Sequence, residues 1–291
     1  SRQVIKPGPD DIFVGTPSLA FVYGLGGLLL FPLHARAATV LSEDVRIPSL
    51  MEATERFKAT IFFTAPTIYK ALLEDCEDER LTSLRKCASA GEALPAYVTE
   101  AWQDKTGIRI TDGIGATELL HVFLSVQHDS DPVGSLGKAV PGYEVRVLDD
   151  DGKDAPAGEI GYLAVKGPTG CRYLNDDRQS KYVVDGWNIT GDTVKIDEQG
   201  YIWYQARNDG IIVSSGYNIV SPEVEAVVSQ HPAVAECGVI GVPDPDRGNI
   251  VRAYVVLKEG FDESLDLIKD IQDFAKQNAA PYKYPRSIEF I

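Results

Sequence analysis

Asp112-Gly113-Ile114-Gly115-Ala116-Thr117-Glu118 follows the β-branched run Ile108-Arg109-Ile110, which reads as a strand, and this stretch decides how the rest of the sequence is read. Two glycines let a backbone approach a planar or phosphorylated ligand closely. The Thr117 hydroxyl can donate to a phosphate oxygen, and the Glu118 carboxylate can hold Mg2+ bridging phosphates. Taken alone, a glycine-rich strand-to-helix turn capped by Thr-Glu is more often plain architecture. A helix starting at Glu118 would put His121 three positions on, on nearly the same face and towards the same crevice.

Upstream, Gly91-Glu92-Ala93 marks another strand-to-helix turn, between a strand near residues 85–88 and a helix over residues 95–105 that Gly107 stops. Ligands of open α/β sheets bind at such carboxyl-end crevices, although a tight turn that needs glycine explains the motif equally well. Ala59-Thr60-Ile61-Phe62-Phe63 reads as a buried strand and Pro66 as the first turn of the next helix. Ser49-x-x-Glu52 reads as a capping box that opens a helix after Pro48. This alternation predicts a layered α/β subdomain over residues 1–128.

Downstream the pattern changes. Residues 143–147 and 160–165 alternate apolar and polar side chains around Asp149-Asp150-Asp151-Gly152, and residues 193–196 and 201–204 form another hairpin. Residues 129–206 therefore predict a distorted antiparallel β-barrel subdomain. Within it, Asp192 after Gly191 can accept two hydrogen bonds from a ribose diol, or simply cap its own turn. Arg207-Asn208-Asp209 before Gly210 reads either as a salt-bridged turn or as a hinge over 207–210. Residues 211–291 predict a small mobile α+β C-terminal domain. Its helices start at an N-cap Ser221 and run over residues 264–277, with Leu265, Ile268, Ile271 and Ala275 on one face.

The chain carries 28 basic and 43 acidic residues, a formal net charge of −15. Such a surface repels nucleic acid and anionic membranes, so a phosphate-bearing ligand must be held by backbone donors, a metal ion or a few placed cations. Cys76, Cys87, Cys171 and Cys237 show no C-x-x-C spacing and read as reduced thiols of a cytoplasmic protein. The apolar run near residues 25–33 is too short and too glycine-rich to span a bilayer.

The segments, taken in order, resemble the acyl-adenylate-forming superfamily of acyl-CoA synthetases, adenylation domains and luciferases. They are Gly91-Glu92, Ile114-Gly115-Ala116-Thr117-Glu118, Thr190-Gly191-Asp192, Arg207-Asn208-Asp209, and Ser215-Gly216-Tyr217-Asn218-Ile219 running on to Glu225. The stretch from Asp112 through His121-Val122-Phe123-Leu124-Ser125, together with Phe21-Val22-Tyr23-Gly24-Leu25-Gly26, is similar to the benzoate–CoA and 2-aminobenzoate–CoA ligases. Ile114 stands where most of the superfamily has tyrosine, a departure that fits this aryl branch.

The resemblance implies an aromatic-degradation ligase that uses ATP, Mg2+ and CoA, forming an acyl-AMP and then an aryl-CoA thioester. Thr117 and Glu118 would be catalytic, with Glu118 on the metal. Gly91, Glu92, Ala93, Asp112, Gly113, Ile114, Gly115, Ala116 and Thr117 would frame the nucleotide, and Asp192 and Arg207 its ribose. Val22, Tyr23, Gly91, Ile114 and His121 would form the pocket for a small aromatic carboxylic acid. Asp209 would be the hinge, and Ser215, Gly216 and Tyr217 would line the CoA channel. Neither nucleic acid nor membrane is an expected partner, and a homodimer is allowed. A carrier-protein-loading adenylation domain or an inactive nucleotide-binding relative would carry the same motifs. The superfamily's Ser/Thr-Ser-Gly-Ser/Thr-Thr-Gly-x-Pro-Lys loop and its Thr-Gly-Lys lysine find no match. The chain is thus expected to be a fragment that does not complete adenylation, cut from an intact parent enzyme.

Overall fold

The computed structural model of the protein describes residues 2–75, 78–207, 211–214, 217–244, 248–280 and 282–291. Short, nearly continuous apolar runs form strands buried on both faces, as expected where helices cover a parallel sheet. Strands β1 (Ile12–Gly15), β2 (Ala38–Thr39), β3 (Ile61–Thr64), β4 (Lys86–Ser89) and β5 (Ile110–Gly115) pair in parallel. Strands β6 (Val122–Ser125) and β7 (Lys138–Ala139) then add antiparallel, giving the order β2-β1-β3-β4-β5-β6-β7.

Alternation along the strands splits the core between the two faces of this sheet. Val14, Phe62, Cys87 and Ile110 pack with Leu50, Met51, Tyr69, Leu72, Val98 and Trp102 from helices α3 (Ile47–Arg56), α4 (Pro66–Asp75) and α5 (Ala96–Thr106). On the other face, Phe13, Ile61, Phe63 and Ala88 pack with Val4, Ile5 and Leu28, with Tyr23 and Phe31 alongside. This second cover is a helical run made of α1 (Val22–Gly24), a π-helical turn Leu25–Leu30 and α2 (Phe31–Ala35). The helices of this run bound the candidate site.

Local signals hold at several ends. Gly107 closes α5 in the left-handed region at φ 71°, and Pro66 opens α4. The capping box does not form: α3 begins at Ile47 with an extended Arg46 as its N-cap. Ser49 instead donates to Asp44 Oδ2 at 2.6 Å, because Asp44 already takes the Arg46 backbone N–H and guanidinium.

The antiparallel expectation for the middle of the chain is met by a curled half-barrel sheet. Strands β8 (Glu144–Leu148), β9 (Ile160–Lys166), β10 (Val183–Val184) and β11 (Trp187–Ile196) lie in the order β10-β11-β9-β8, and β12 (Ile202–Arg207) pairs with β11. A short helix, α6 (Gln179–Tyr182), precedes β10. The turn after β8 is held by Asp149, whose Oδ1 accepts from Asp151 N at 2.9 Å and Lys153 N at 2.8 Å.

The chain divides into two compact units, one of Ser1–Thr190 with Lys195–Tyr204, the other of Gly191–Val194 with Gln205–Ile291. The second unit carries a hairpin of β13 (Ile211–Ser214) and β14 (Tyr217–Val220), and a sheet of β15 (Val234–Asp244), β16 (Gly248–Leu257) and β17 (Ser287–Phe290). Its core joins Ile212, Ile219, Val239, Val251 and Val255 to helices α7 (Ser221–Val228) and α8 (Leu265–Asn278). Ser264 caps α8 by accepting from Leu267 N at 3.1 Å. Two helical expectations need correction here. Strand β14 runs into α7 so directly that Val220 takes the N-cap place and Ser221 is already helical. Ile271 and Ala275 are buried on α8 as expected, but Leu265 sits in the first turn, clear of the sheet and 84% exposed.

Candidate active site

Strand β5 carries the deciding stretch, and its neighbours show why glycine stands at 113 and 115. A Cβ on Gly113 would lie 2.7 Å from Leu124 O, and one on Gly115 2.6 Å from His121 O. The close antiparallel approach of β6 requires both glycines, whatever ligand lies nearby. After Gly115 the chain makes one 3-10 turn, Thr117–Leu119, rather than the expected helix. Leu120, at φ 73°, then turns it back into β6. That conformation is costly for a bulky residue and belongs among the strained positions that cluster at functional sites. The turn is locked from outside, since Thr169 Oγ1 and Tyr143 OH both donate to Leu119 O, at 2.7 and 3.2 Å.

His121 reaches the expected crevice by this hairpin and not by helical periodicity. Its ring lies 4.6 Å from Phe31 and 5.6 Å from Tyr23, centroid to centroid. The π-helical turn presses on it so closely that a Cβ on Gly26 would meet His121 Cδ2 at 2.2 Å. Burial pushes the imidazole down to about 4, opposed by its bond to the Tyr23 carbonyl. The ring is therefore neutral at physiological pH. Nε2–H donates to Tyr23 O at 3.4 Å, and Nδ1 is left as an acceptor.

Tyr23, Phe31, Phe63 and His121 wall a cavity of about 60 Å³ whose remaining lining is Val4, Ile5, Ala88, Ser89, Thr111, Gly113, Val122, Ser125 and Val140. Benzene fits an apolar cavity of about 150 Å³, so an aromatic ring entering here must displace a wall side chain. Of the residues expected to line the acid pocket, Tyr23 and His121 do so, whereas Val22, Gly91 and Ile114 do not. Alternation along β5 explains Ile114, since Gly113 takes the cavity face. Phe31, Phe63 and Thr111 are further lining residues that the sequence does not single out. A strand phenylalanine and a helix phenylalanine carry no spacing signal that separates a pocket wall from a core.

Asp112 lies beside Gly113 on the other face of β5, next to Arg109, Leu94 and Thr99. Burial raises its carboxyl to about 7, partly offset by the neighbouring Ser89 hydroxyl and the Gly113 backbone. Glu92 is engaged structurally: its Oε2 accepts from Thr67 N at 3.2 Å and Thr67 Oγ1 at 2.5 Å, closing the first turn of α4. Gly91 takes φ 98°, which accounts for glycine at that turn, and Ala93 is exposed.

Glu118 is half-buried in the 3-10 turn, and its Oε1 accepts from Tyr173 OH at 2.7 Å. The Arg178 guanidinium lies over the Tyr173 ring at 4.8 Å. No cluster of three metal-ligating side chains occurs among the described residues. Glu118 could hold a Mg2+ ion together with phosphate oxygens, which is how this ion is often held.

In the second unit, Asp192 is buried after Gly191 (φ 80°), and Arg207 NH1 donates to its Oδ1 at 3.4 Å. Thr193 Oγ1 fastens the same hairpin by donating to Ala206 O at 2.9 Å. The expected hinge residue Asp209 and the expected channel residues Ser215 and Gly216 lie outside the described residues, while Tyr217 opens β14 opposite Ser214.

Fold and site together define an adenylate-forming architecture, and comparison with known proteins agrees: the chain belongs to the AMP-binding enzyme family. Residues 1–173 match the AMP-binding enzyme family and residues 223–291 its C-terminal domain. The chain is 38% identical to benzoate–CoA ligase of Thauera aromatica over 297 residues, covering 100% of this chain and 56% of that protein. It is also 38% identical to the mitochondrial acyl-coenzyme A synthetase ACSM3 of Homo sapiens over 253 residues, covering 84% and 43%. Among solved structures, anthranilate CoA ligase AuaEII in complex with anthranoyl-AMP superposes with a TM-score of 0.89 at 38% identity, covering 100% of this chain and 57% of that one. A benzoate CoA ligase from Burkholderia xenovorans LB400 gives 0.87 at 34% identity, covering 100% and 59%. The chain thus spans about half the length of the curated relatives it matches. Among the described residues, no helix is long and apolar enough to cross a membrane.

Proposed function

We propose that the whole protein is an AMP-forming acid–CoA ligase that activates a small aromatic carboxylic acid. The observation that carries this is the aromatic-walled cavity of Tyr23, Phe31, Phe63 and His121, which Gly113 of the deciding stretch also lines. The benzoate and anthranilate ligases among its relatives support the same reading. The acid's carboxylate attacks the α-phosphorus of ATP in line, pyrophosphate leaves, and the acyl-AMP so formed is a reactive mixed anhydride. CoA thiolate then attacks the acyl carbonyl, giving the thioester and AMP. Thr117 donates to the α-phosphate, and Glu118 is the residue that would hold Mg2+, which would supply charge neutralisation. Gly91, Glu92, Asp112 and Gly113 frame the adenine, and Asp192 and Arg207 take the ribose. Incubating the complete protein with benzoate, ATP and CoA should yield benzoyl-CoA and AMP by mass spectrometry. Pyrophosphate release with transfer only to a phosphopantetheinyl carrier protein would instead identify a loading domain.

Two substitutions separate the parts of this assignment. Asp192→Ala is expected to raise the KM for ATP by about 10- to 150-fold, the equivalent of about 1.5–3 kcal/mol for a hydrogen bond to a charged acceptor, with acid binding retained. Unchanged ATP affinity in calorimetric titration would remove Asp192 from the ribose site. His121→Ala is expected to cut kcat/KM for aryl acids by about 10- to 200-fold, the scale on which an apolar pocket discriminates between ligands that fill it and ligands that do not. Acetate should be affected far less. An equal fall for both acids would mean that His121 only supports the hairpin.

A further inference from the structure

In the loop between β9 and α6, Arg172, Leu174 and Asn175 are exposed, whereas Tyr173 among them turns inward and is half-buried. Leu174 is left 89% exposed, so burial of apolar area does not explain the loop's path. What the inward turn achieves is a single contact: the Tyr173 hydroxyl donates to Glu118 Oε1 at 2.7 Å, across 55 positions of sequence.

Tyr173 is fixed from three directions by the short segment that follows it. Its backbone N–H donates to Gln179 Oε1 at 2.7 Å. The Tyr182 ring stands edge-on to its own, with centroids 5.6 Å apart at 69°. Arg178 lies over its face, 4.8 Å from the centroid, and is itself held by Asp176, whose Oδ2 accepts from Nε at 2.9 Å and NH2 at 2.6 Å. A side chain clamped in this way can aim another one, because little rotamer freedom is left to it. The donor is also of the right kind. A carboxylate has about four lone-pair sites, and one hydrogen bond to Oε1 leaves the others for a cation. A neutral phenol orients the carboxylate without cancelling its charge, whereas Lys or Arg in its place would repel a metal ion. The nearby cation, Arg178, rests on the ring and is engaged by Asp176.

Resting on the reading above of Glu118 as the residue that would hold Mg2+, we propose that Tyr173 is its positioning residue: the phenol fixes the Glu118 carboxylate for the metal ion and so sets metal affinity. The experiment is calorimetric titration of the complete protein with α,β-methylene-ATP, which cannot release pyrophosphate, in the absence of Mg2+ and at saturating Mg2+. By linkage, the ratio of the two dissociation constants reports how much better the protein-bound nucleotide holds Mg2+ than the free nucleotide does. Tyr173→Phe is expected to lower that ratio by about 10- to 100-fold, the usual loss when the hydrogen-bond partner of a metal ligand is removed, with metal-free binding unchanged. In a Glu118→Gln background the same substitution should change the ratio by less than about twofold, because the two residues act as one unit. Equal weakening of nucleotide binding with and without Mg2+ would make Tyr173 a merely structural residue and overturn the proposal. So would a full effect of Tyr173→Phe in the Glu118→Gln background. A ratio lowered by Glu118→Gln but not by Tyr173→Phe would overturn the role of Tyr173 and leave Glu118 as the metal ligand. A ratio that neither variant lowers would overturn both.

Discussion

Replacing Glu118 by Gln in the complete protein is expected to slow acid-dependent ATP–pyrophosphate exchange by about 100- to 1,000-fold, the loss typical of one preorganised electrostatic group in a reacting site. Glutamine keeps a side-chain oxygen that can accept from Tyr173 OH, now 2.7 Å from Glu118 Oε1, so the turn Thr117–Leu119 should stay folded. Only the charge is removed. The thermal midpoint should therefore hardly move while turnover falls, and acid binding should persist. Tyr173→Phe offers the complementary control, because it frees Glu118 without altering its charge. A fall of less than about threefold for Glu118→Gln would show that the carboxylate neither holds the metal ion nor stabilises developing charge. Thr117 would then be the only group of the β5–β6 turn left with an assigned role in the chemistry.

The largest stability effect is expected at Trp102. It is fully buried on α5, its ring 4.8 Å from Tyr69 in an edge-on arrangement, and it packs in the same cluster as Cys87, Val98 and Ile110. Trp102→Ala should destabilise the first unit by about 3–5 kcal/mol, since the cavity left behind adds to the forfeited transfer energy. At about 2–4 °C per kcal/mol for a domain of this size, the midpoint should drop by about 6–20 °C. Trp102 lies on the face of the sheet opposite the Phe13–Phe63 cluster that borders the acid cavity. Affinity for the acid at low temperature should accordingly stay close to normal. A shift of less than about 2 °C, below the smallest step expected for even 1 kcal/mol, would mean that α5 is not packed as described.

Strand-and-helix alternation in the first third of the chain is legible because buried parallel strands are short apolar runs and Gly107 and Pro66 punctuate the helices plainly. The half-barrel is legible because its strands alternate and turn at Asp149 to Gly152. Capping is less so. Ser49 and Ser221 are the right residue types, but neighbouring groups decide their roles: Asp44 claims the first, and continuous pairing through β14 displaces the second. His121 arrives at the expected crevice by a different route from the one its spacing suggests. A helix and a tight hairpin both return the chain to the same place, and only the clash distances at Gly113 and Gly115 tell them apart. The pocket walls Phe31 and Phe63 come from elements far apart in sequence, so no local pattern links them. The hydroxyl of Thr111 is equally silent in sequence, because a threonine in a strand is ordinary.

In the proposed function, the cavity walled by Tyr23, Phe31, Phe63 and His121 selects an aromatic acid for adenylation. The most direct measurement is kcat/KM for ATP–pyrophosphate exchange by the complete protein with aryl acids set against acetate and octanoate under identical conditions. Aryl acids are expected to lead both aliphatic acids by at least about tenfold, since each methylene-sized group fitted in such a pocket changes discrimination by about 1–3 kcal/mol. Acetate or octanoate leading the series would contradict the aryl assignment, while leaving the chain's membership of the AMP-binding enzyme family untouched.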